Sequence, residues 1–549
     1  MIFETINMFR KHLPILILIL ILGLYLGVKA LDEKSWDGWH FGSAQVLLSD
    51  KHWAEDGFFQ NYFLFIPQGY SKVVHYFDDP ELRQHTHGIT TGGFIGKRLY
   101  YTHYPAGFLV PTALLMKFGA ENRFWFRFLE ILFSLGALAI LYWIFLKLSN
   151  RLVAFLGVFY YGASVLFLDY ADTLANQPLD ELLRLAIIAL SIVAVKNQKK
   201  YLNYLIWILY LGLALSSYDS TFFIFAWLIG LDLVIAKKIY PERSRRIEWK
   251  KWIFWALAPI LAFAIQLFQN TLYLGWHNVL LDLYGTFKVQ MVGSRSGFLA
   301  SHLKRLIEPF GWFFGVKWYL GILISIFGIA LVKLIKKYSE STFNIRLLYL
   351  SFFALLFNFL FFPSLFFFQA RIISVFGGLL LGILTVLTSK ALLQKELKPK
   401  LKIIFLIILA STMSLWFIQA KRTYAYVKNW PNNTWPAESI EFDKKIKNLV
   451  SGDKVVFQML GLNRDISGSD RYPMAASEDE YYIGSPILGF TNTNDLIRDL
   501  TYLKKRSEFP FSAIIITDQK ETMGEIKEKL KTHEPISKID IYFILIIQQ

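Results

Sequence analysis

The residues best equipped for chemistry gather between the first and second apolar runs. Trp36-Asp37-Gly38-Trp39-His40 sets a carboxylate and an imidazole among tryptophans. Glu55-Asp56, Asp78-Asp79, His85 and His87 follow, and then Tyr101-Thr102-His103-Tyr104-Pro105-Ala106-Gly107. A carboxylate or imidazole within hydrogen-bond reach of an attacking hydroxyl or amine can take its proton as a general base. Arg127, Arg184 and Arg371 stand near the ends of apolar runs and Arg295 in the loop after 253–274; a charge close to a span is expensive and usually has a partner or a task. His85 and His87 offer two metal ligands with no adjacent third, so no metal site is read from them. The chain has no cysteine, which excludes disulfides, thiolate metal sites and cysteine nucleophiles.

Singly, each of these residues has a plainer role. Asp37 could cap a helix, His40 and His103 could be packing residues, Arg127 and Arg184 could snorkel to headgroups, and Asp169 and Asp172 could solvate a loop. Their joint placement on one face of a membrane is what points to function.

The elements that must position them are apolar helices. Hydrophobic residues make up 54% of the 549 and charged residues only 18%, against about 25% charged in a soluble protein. Apolar runs at 13–31, 126–146, 152–168, 182–195, 202–217, 221–236, 253–274, 318–335, 346–362, 372–389 and 402–418 read as about eleven transmembrane helices, the first of them uncleaved. Basic residues crowd 147–151, 196–200, 237–251, 333–346 and 390–402. The positive-inside rule therefore sets the N-terminus in the cytoplasm and the C-terminus outside. Much of the formal net charge of +16 is thereby an orientation signal, and nucleic acid is not expected as a partner.

Two stretches lie outside this pattern. Residues 32–123 form a long first external loop, with interfacial helices anchored by Trp36, Trp39 and Trp53; long ordered loops tend to carry function. Residues 420–549 turn charged, with β-like runs at 454–460, 512–518 and 541–547 between helix-like stretches. The expected architecture is a polytopic α-helical membrane domain over 1–419 and a small extracytoplasmic α/β domain over 420–549.

The order of one span, an acidic residue beside aromatics, "AQVLLSDKHWAEDGFF" (44–59) and "YYTHYPAGFLVPTALLMKFGAENRFWFRFLEILFS" (100–134) resembles the amino-terminal half of the GT-C membrane glycosyltransferases. The branch it resembles contains the protein O-mannosyltransferases and the lipid A aminoarabinose transferase. "LDYADTLANQPLDELLRLAI" (168–187) and "FQNTLYLGW" (268–276) are similar to later external loops of that family. Where the family has Asp-Glu and an aromatic, this chain reads Asp37-Gly38-Trp39-His40; its Lys-Pro-Pro-like element reads His103-Tyr104-Pro105-Ala106.

The resemblance implies a sugar donor carried on a polyprenyl phosphate and an acceptor outside the cytoplasm: a lipid, a glycan or a protein. It makes Asp37 the base, with His40 its rival and Glu55 or Asp56 behind. It gives the donor phosphate to His103, Arg127, Arg184, Arg295 and Arg371, since a guanidinium is a planar fork suited to phosphate oxygens. The reading fixes no cofactor with certainty and leaves open a divalent metal ion. A transporter or flippase is the competing reading, but no pair of Gly- or Pro-broken helices recurs in two halves. A membrane scaffold with a partner-binding tail is the third.

Overall fold

The computed structural model describes residues 2–32, 35, 40–67, 69–70, 72–75, 100–102, 104–197, 199–233, 249–292, 308, 325, 328, 354, 366–394, 397–429, 437–459, 477–490, 492–539 and 541–548. In chain order the helices begin with α1 (Ile2–Leu31), α2 (His40–Asp56), α3 (Lys72–His75), α4 (Val110–Lys117), α5 (Arg123–Leu148) and α6 (Arg151–Gly162). They continue with α7 (Val165–Tyr170), α8 (Gln177–Asn197), α9 (Lys200–Ser216), α10 (Thr221–Leu231), α11 (Trp249–Leu274) and α12 (Trp276–Val292). After α13 (Phe366–Leu392) and α14 (Pro399–Asn429) come α15 (Ala437–Asn448), α16 (Ser477–Ile483), α17 (Thr493–Arg506) and α18 (Lys520–Lys529). The strands are β1 (Lys454–Met459), β2 (Ile487–Phe490), β3 (Ser512–Thr517), β4 (Ile536–Ile539) and β5 (Tyr542–Gln548). These elements fold as two compact units, one of Met1–Leu31, Arg127–Gln266 and Lys288–Asn432, the other of Asp32–Phe126, Leu267–Phe287 and Asn433–Gln549.

The first unit is helical. Among the described residues five helices are long and apolar enough to cross a bilayer: His12–Leu31, Arg123–Leu148, Trp249–Leu274, Ala370–Leu392 and Pro399–Asn429. The expected span at 152–168 is interrupted. Its first part, α6, ends at Gly162, and the hydroxyl of Ser164 caps α7 by accepting the Phe167 N–H at 3.1 Å, the role serine fills best at a helix start. The span expected at 221–236 is the 11-residue α10, and those expected at 318–335 and 346–362 lie outside the described residues but for Ser325, Gly328 and Ala354. Glycine brings α6 against α13: a Cβ on Gly378 would stand 2.6 Å from the carbonyl oxygen of Gly157. Small residues at such a crossing are how membrane helices gain close van der Waals contact.

The second unit centres on a five-stranded sheet in the order β2-β1-β3-β5-β4, with β1 parallel to both β2 and β3 and β5 antiparallel to its neighbours. Both faces are buried, and alternate residues sort onto them, as the pleat requires. Val455, Phe457, Ala513, Ile515, Leu545 and Ile547 face one core with Leu496, Leu500 and Leu503 of α17 and Met523 and Ile526 of α18. Val456, Ile514, Ile516 and Ile544 face the other, with Phe442 and Ile446 of α15. Double burial explains why β3 reads as the continuous apolar run Ser-Ala-Ile-Ile-Ile-Thr.

The first of these cores also takes in Leu64, Ile66, Val73 and Tyr100 from the first loop. The boundary drawn at 419/420 separates stretches that share this core. Trp53, read as an interfacial anchor, is instead fully buried, its indole N–H donating to the Leu64 carbonyl at 2.9 Å; Trp36 and Trp39 lie outside the described residues.

Candidate active site

In the helical unit, three of the arginines singled out by sequence pair with carboxylates at or just before the start of α8. Arg127, in the first turns of α5, gives Nε (3.1 Å) and Nη2 to Asp172 Oδ2 and Nη1 to the carbonyl of Lys29 at 3.2 Å. Lys29, in the last turn of α1, closes the triad: its ammonium donates to Asp172 Oδ1 at 2.9 Å and to the Leu168 carbonyl at 3.2 Å. Lys29 and Arg127 are each 1% exposed and Asp172 is 0% exposed. Burial alone would raise the Asp172 carboxyl, but Arg127 and Lys29 outweigh it and hold the group below its ordinary value. The readings of Arg127 as a snorkelling residue and of Asp172 as a loop solvator both fail here, because neither side chain reaches water.

Eight residues on, Asp180 accepts from Arg184 Nη1 at 2.9 Å and from the Ser220 hydroxyl at 2.7 Å. Its neighbour Glu181 pairs with Arg371 Nη2 and accepts from the Tyr161 hydroxyl at 2.8 Å. These contacts join the beginnings of α8, α10 and α13 to one another and to α6. At the far end of α14, the Tyr426 hydroxyl donates to Asp169 at 2.8 Å. Pairs buried this deeply add little net stability, since desolvating two charges offsets much of their attraction. Their concentration at one set of helix ends is the clustering of buried charge that marks functional sites more often than a device for stability.

The three arginines are not equivalent. All three nitrogens of Arg127 are engaged by protein oxygens. Among the described residues, Arg371 is held through Nη2 alone, by Glu181, which leaves Nε and Nη1 available to an oxyanion. Asp37, the side chain of His40, His103, Arg295, His85 and His87 lie outside the described residues. Of the rival carboxylates, Glu55 is exposed and Asp56 accepts from the Tyr70 hydroxyl at 3.2 Å. Among the described residues no group of three or more His, Asp or Glu side chains is arranged to hold a metal ion.

In its fold the chain is similar to the crystal structure of ArnT from Cupriavidus metallidurans bound to undecaprenyl phosphate, with a TM-score of 0.54 at 11% identity over 97% of each chain. The fold is GT-C. ArnT in its apo state scores 0.48 over the same shares, also at 11% identity. The Archaeoglobus fulgidus oligosaccharyltransferase in its apo form scores 0.46 at 9% identity, over 93% of this chain and 70% of that one. Those two likenesses are too slight to add weight. No protein-family model and no curated protein matches the sequence.

Five described helices are long and apolar enough to cross a membrane, which supports a multi-pass membrane protein. Two members of its charged cluster escaped sequence reasoning. Lys29 reads as an ordinary basic flank of a span, and its anion lies 143 residues away. Glu181 reads as loop charge, although it directly follows Asp180, the first-turn carboxylate of α8.

Proposed function

We propose that this chain is an integral membrane glycosyltransferase that moves a sugar from a polyprenyl-phosphate-linked donor to an acceptor outside the cytoplasm, in the envelope membrane of the cell. The acceptor oxygen or nitrogen attacks the anomeric carbon, the bond from that carbon to the phosphate oxygen breaks, and polyprenyl phosphate departs with the electron pair. The acceptor's proton passes to a general base, for which Asp37 is the first choice and His40 the second. Charge growing on the departing phosphate is met by fixed cations, the arrangement that lowers such barriers most. Arg371 is the first candidate for that role, followed by Arg184, Arg127, Arg295 and His103.

The observation that carries this reading is the buried arginine cluster at one set of helix ends, in a fold whose solved likeness was crystallised with undecaprenyl phosphate. A base facing the cell exterior also agrees with the distribution of basic loops, which sets the N-terminus inside and residues 420–549 outside.

The test is transfer in proteoliposomes from a polyprenyl-phosphate sugar. Asp37→Asn should fold normally and lose about 10²–10⁴ in turnover, the usual share of a general base. Full turnover by that variant moves the base to His40, Glu55 or Asp56. Movement of substrate across the bilayer with no glycosylated product supports a transporter and removes the transferase reading.

A further inference from the structure

The helix α12 follows the apolar helix α11 with a single residue between them. That residue, Gly275, has φ +77°, a left-handed backbone that glycine adopts without strain and that ends a helix. The joint is tied from both sides. Gly275 donates its N–H to the Thr271 carbonyl at 2.9 Å, and the Asn278 side chain donates to the Leu274 carbonyl at 2.9 Å. The first turn of α12 therefore stands where α11 leaves the bilayer, with no free chain to carry it away. At 17 residues, α12 is itself shorter than the roughly 20 that a span needs.

Its two faces differ in kind. One packs inside the protein: Val279 and Asp282 are buried, and Asp282 accepts from the Thr102 hydroxyl at 2.6 Å. Asn270 of α11 holds the same residue by donating to the Thr102 carbonyl at 3.0 Å. Held in this way, α12 cannot turn its other face inward. As far as Tyr284 that face is open, with Trp276 56% exposed, Leu280 47%, Leu281 43% and Tyr284 67%. Trp276, Leu280 and Tyr284 recur at every fourth position and so form one stripe, as helical geometry requires, with His277 and Leu281 along its edge. From Trp276 to Tyr284 the one charged residue is Asp282, and it lies on the buried face. A helix surface meant for water carries charged and polar side chains. An open apolar face of this kind marks a surface that something covers.

We infer that α12 lies along the outer surface of the bilayer, with Trp276, Leu280, Leu281 and Tyr284 sunk among the lipid headgroups and the upper acyl chains. Three observations select lipid as the occupant. The stripe begins one residue beyond a helix long and apolar enough to cross a membrane. The last two turns of α11 carry Phe268 and Leu272, both exposed, so apolar side chains stand open right up to the joint. Trp and Tyr, the residues that favour the membrane interface, stand at the two ends of the stripe. The basic residues of 237–251, before α11, set this end of the helix outside. The inference needs α11 to cross the membrane and does not depend on the transferase reading.

Because the chain has no cysteine, single introduced cysteines can carry a nitroxide label in the full-length protein, held in phosphatidylcholine–phosphatidylglycerol nanodiscs. Leu280→Cys and Tyr284→Cys report on the stripe, Ile260→Cys on the middle of α11 and Glu525→Cys on α18. All four side chains are exposed, so the label disturbs little packing. Power saturation then compares collisions with oxygen, which concentrates in lipid, and with a nickel chelate, which stays in water. Oxygen should dominate at both stripe positions, less strongly than at the α11 position, and the nickel chelate should dominate on α18. Stripe labels as open to the nickel chelate as the α18 label place α12 in water and overturn the inference. Labels shielded from both reagents mean that protein covers the face, whether another segment or a second copy, and overturn it equally. An α11 label that reads water refutes the span, and the inference falls with it.

Discussion

Asp172 is the anion of two buried cations, and that position sets what its loss would do. Neutralising it removes the carboxylate that Lys29 and Arg127 share in the interior, and breaking a buried pair from one side costs about 3–5 kcal/mol. Asp172→Asn should therefore lower the thermal midpoint of the purified protein far more than Asp169→Asn, whose carboxylate is only part-buried on Tyr426. Adding Lys29→Met to Asp172→Asn should recover part of the loss by removing one stranded charge. A double variant no more stable than the single one would mean that the triad is not a unit. Because the Asp172 carboxyl is held below its ordinary value, the stability it contributes is present above that value and fades only as pH falls beneath it. The triad was half legible in the sequence. Arg127 stands out as a charge entering an apolar run, whereas the lysine ending α1 is indistinguishable from a headgroup anchor until the chain has folded.

Glu480 does for the elements of the second unit what Asp172 does for side chains. Its Oε1 accepts the Ile487 N–H and its Oε2 the Gly69 N–H, both at 2.9 Å, so one carboxyl ties α16, the start of β2 and a strip of the first loop. The loop can come this close only because residue 69 is glycine: a Cβ there would stand 2.3 Å from the carbonyl carbon of Ser485. Burial pushes the Glu480 carboxyl up to about 8, against the lowering effect of the two N–H donors. The folded state then holds a proton that the unfolded state has released, from about 4.5 up to about 8. The contribution to stability is complete below that window and is lost as pH rises through it. Amide exchange at Gly69 and Ile487, corrected for intrinsic rate, should show stronger protection at pH 5.5 than at pH 8.5, and Glu480→Gln should abolish the difference. Protection that rises with pH would reverse this assignment. Nothing in the sequence marks Glu480 out among the acidic residues near it, and the element it caps was hidden too. The strand Ile487–Phe490 is four residues long with a glycine inside, too short for an alternating pattern to register. The strands β1, β3 and β5 are six or seven residues long and rich in Val, Ile and aromatic residues, which made them readable.

At the scale of the whole molecule, the sequence divides where its composition changes, but the fold does not. Residues 32–126 belong with 433–549 in one compact unit, because apolar side chains at 64, 66, 73 and 100 have their burial partners on a sheet some four hundred residues later. Composition cannot report such a pairing, since each stretch alone looks like a separate polar excursion from the membrane domain. The consequence is that the C-terminal segment cannot be a dispensable appendage. Ending the chain at Asn432 would expose Leu64, Ile66, Val73 and Tyr100 at once, at about 1.5–3 kcal/mol for each large apolar side chain returned to water, and would remove the acceptor of the Gly69 N–H. The expected result is a first loop cut quickly by protease in membranes where the full-length protein resists, together with loss of sugar transfer, because the loop carrying Asp37 and His103 no longer has a surface to fold on. A shortened protein that keeps both a resistant loop and its activity would show that the loop is held by the remaining helices instead, and that the shared core is incidental to the chemistry.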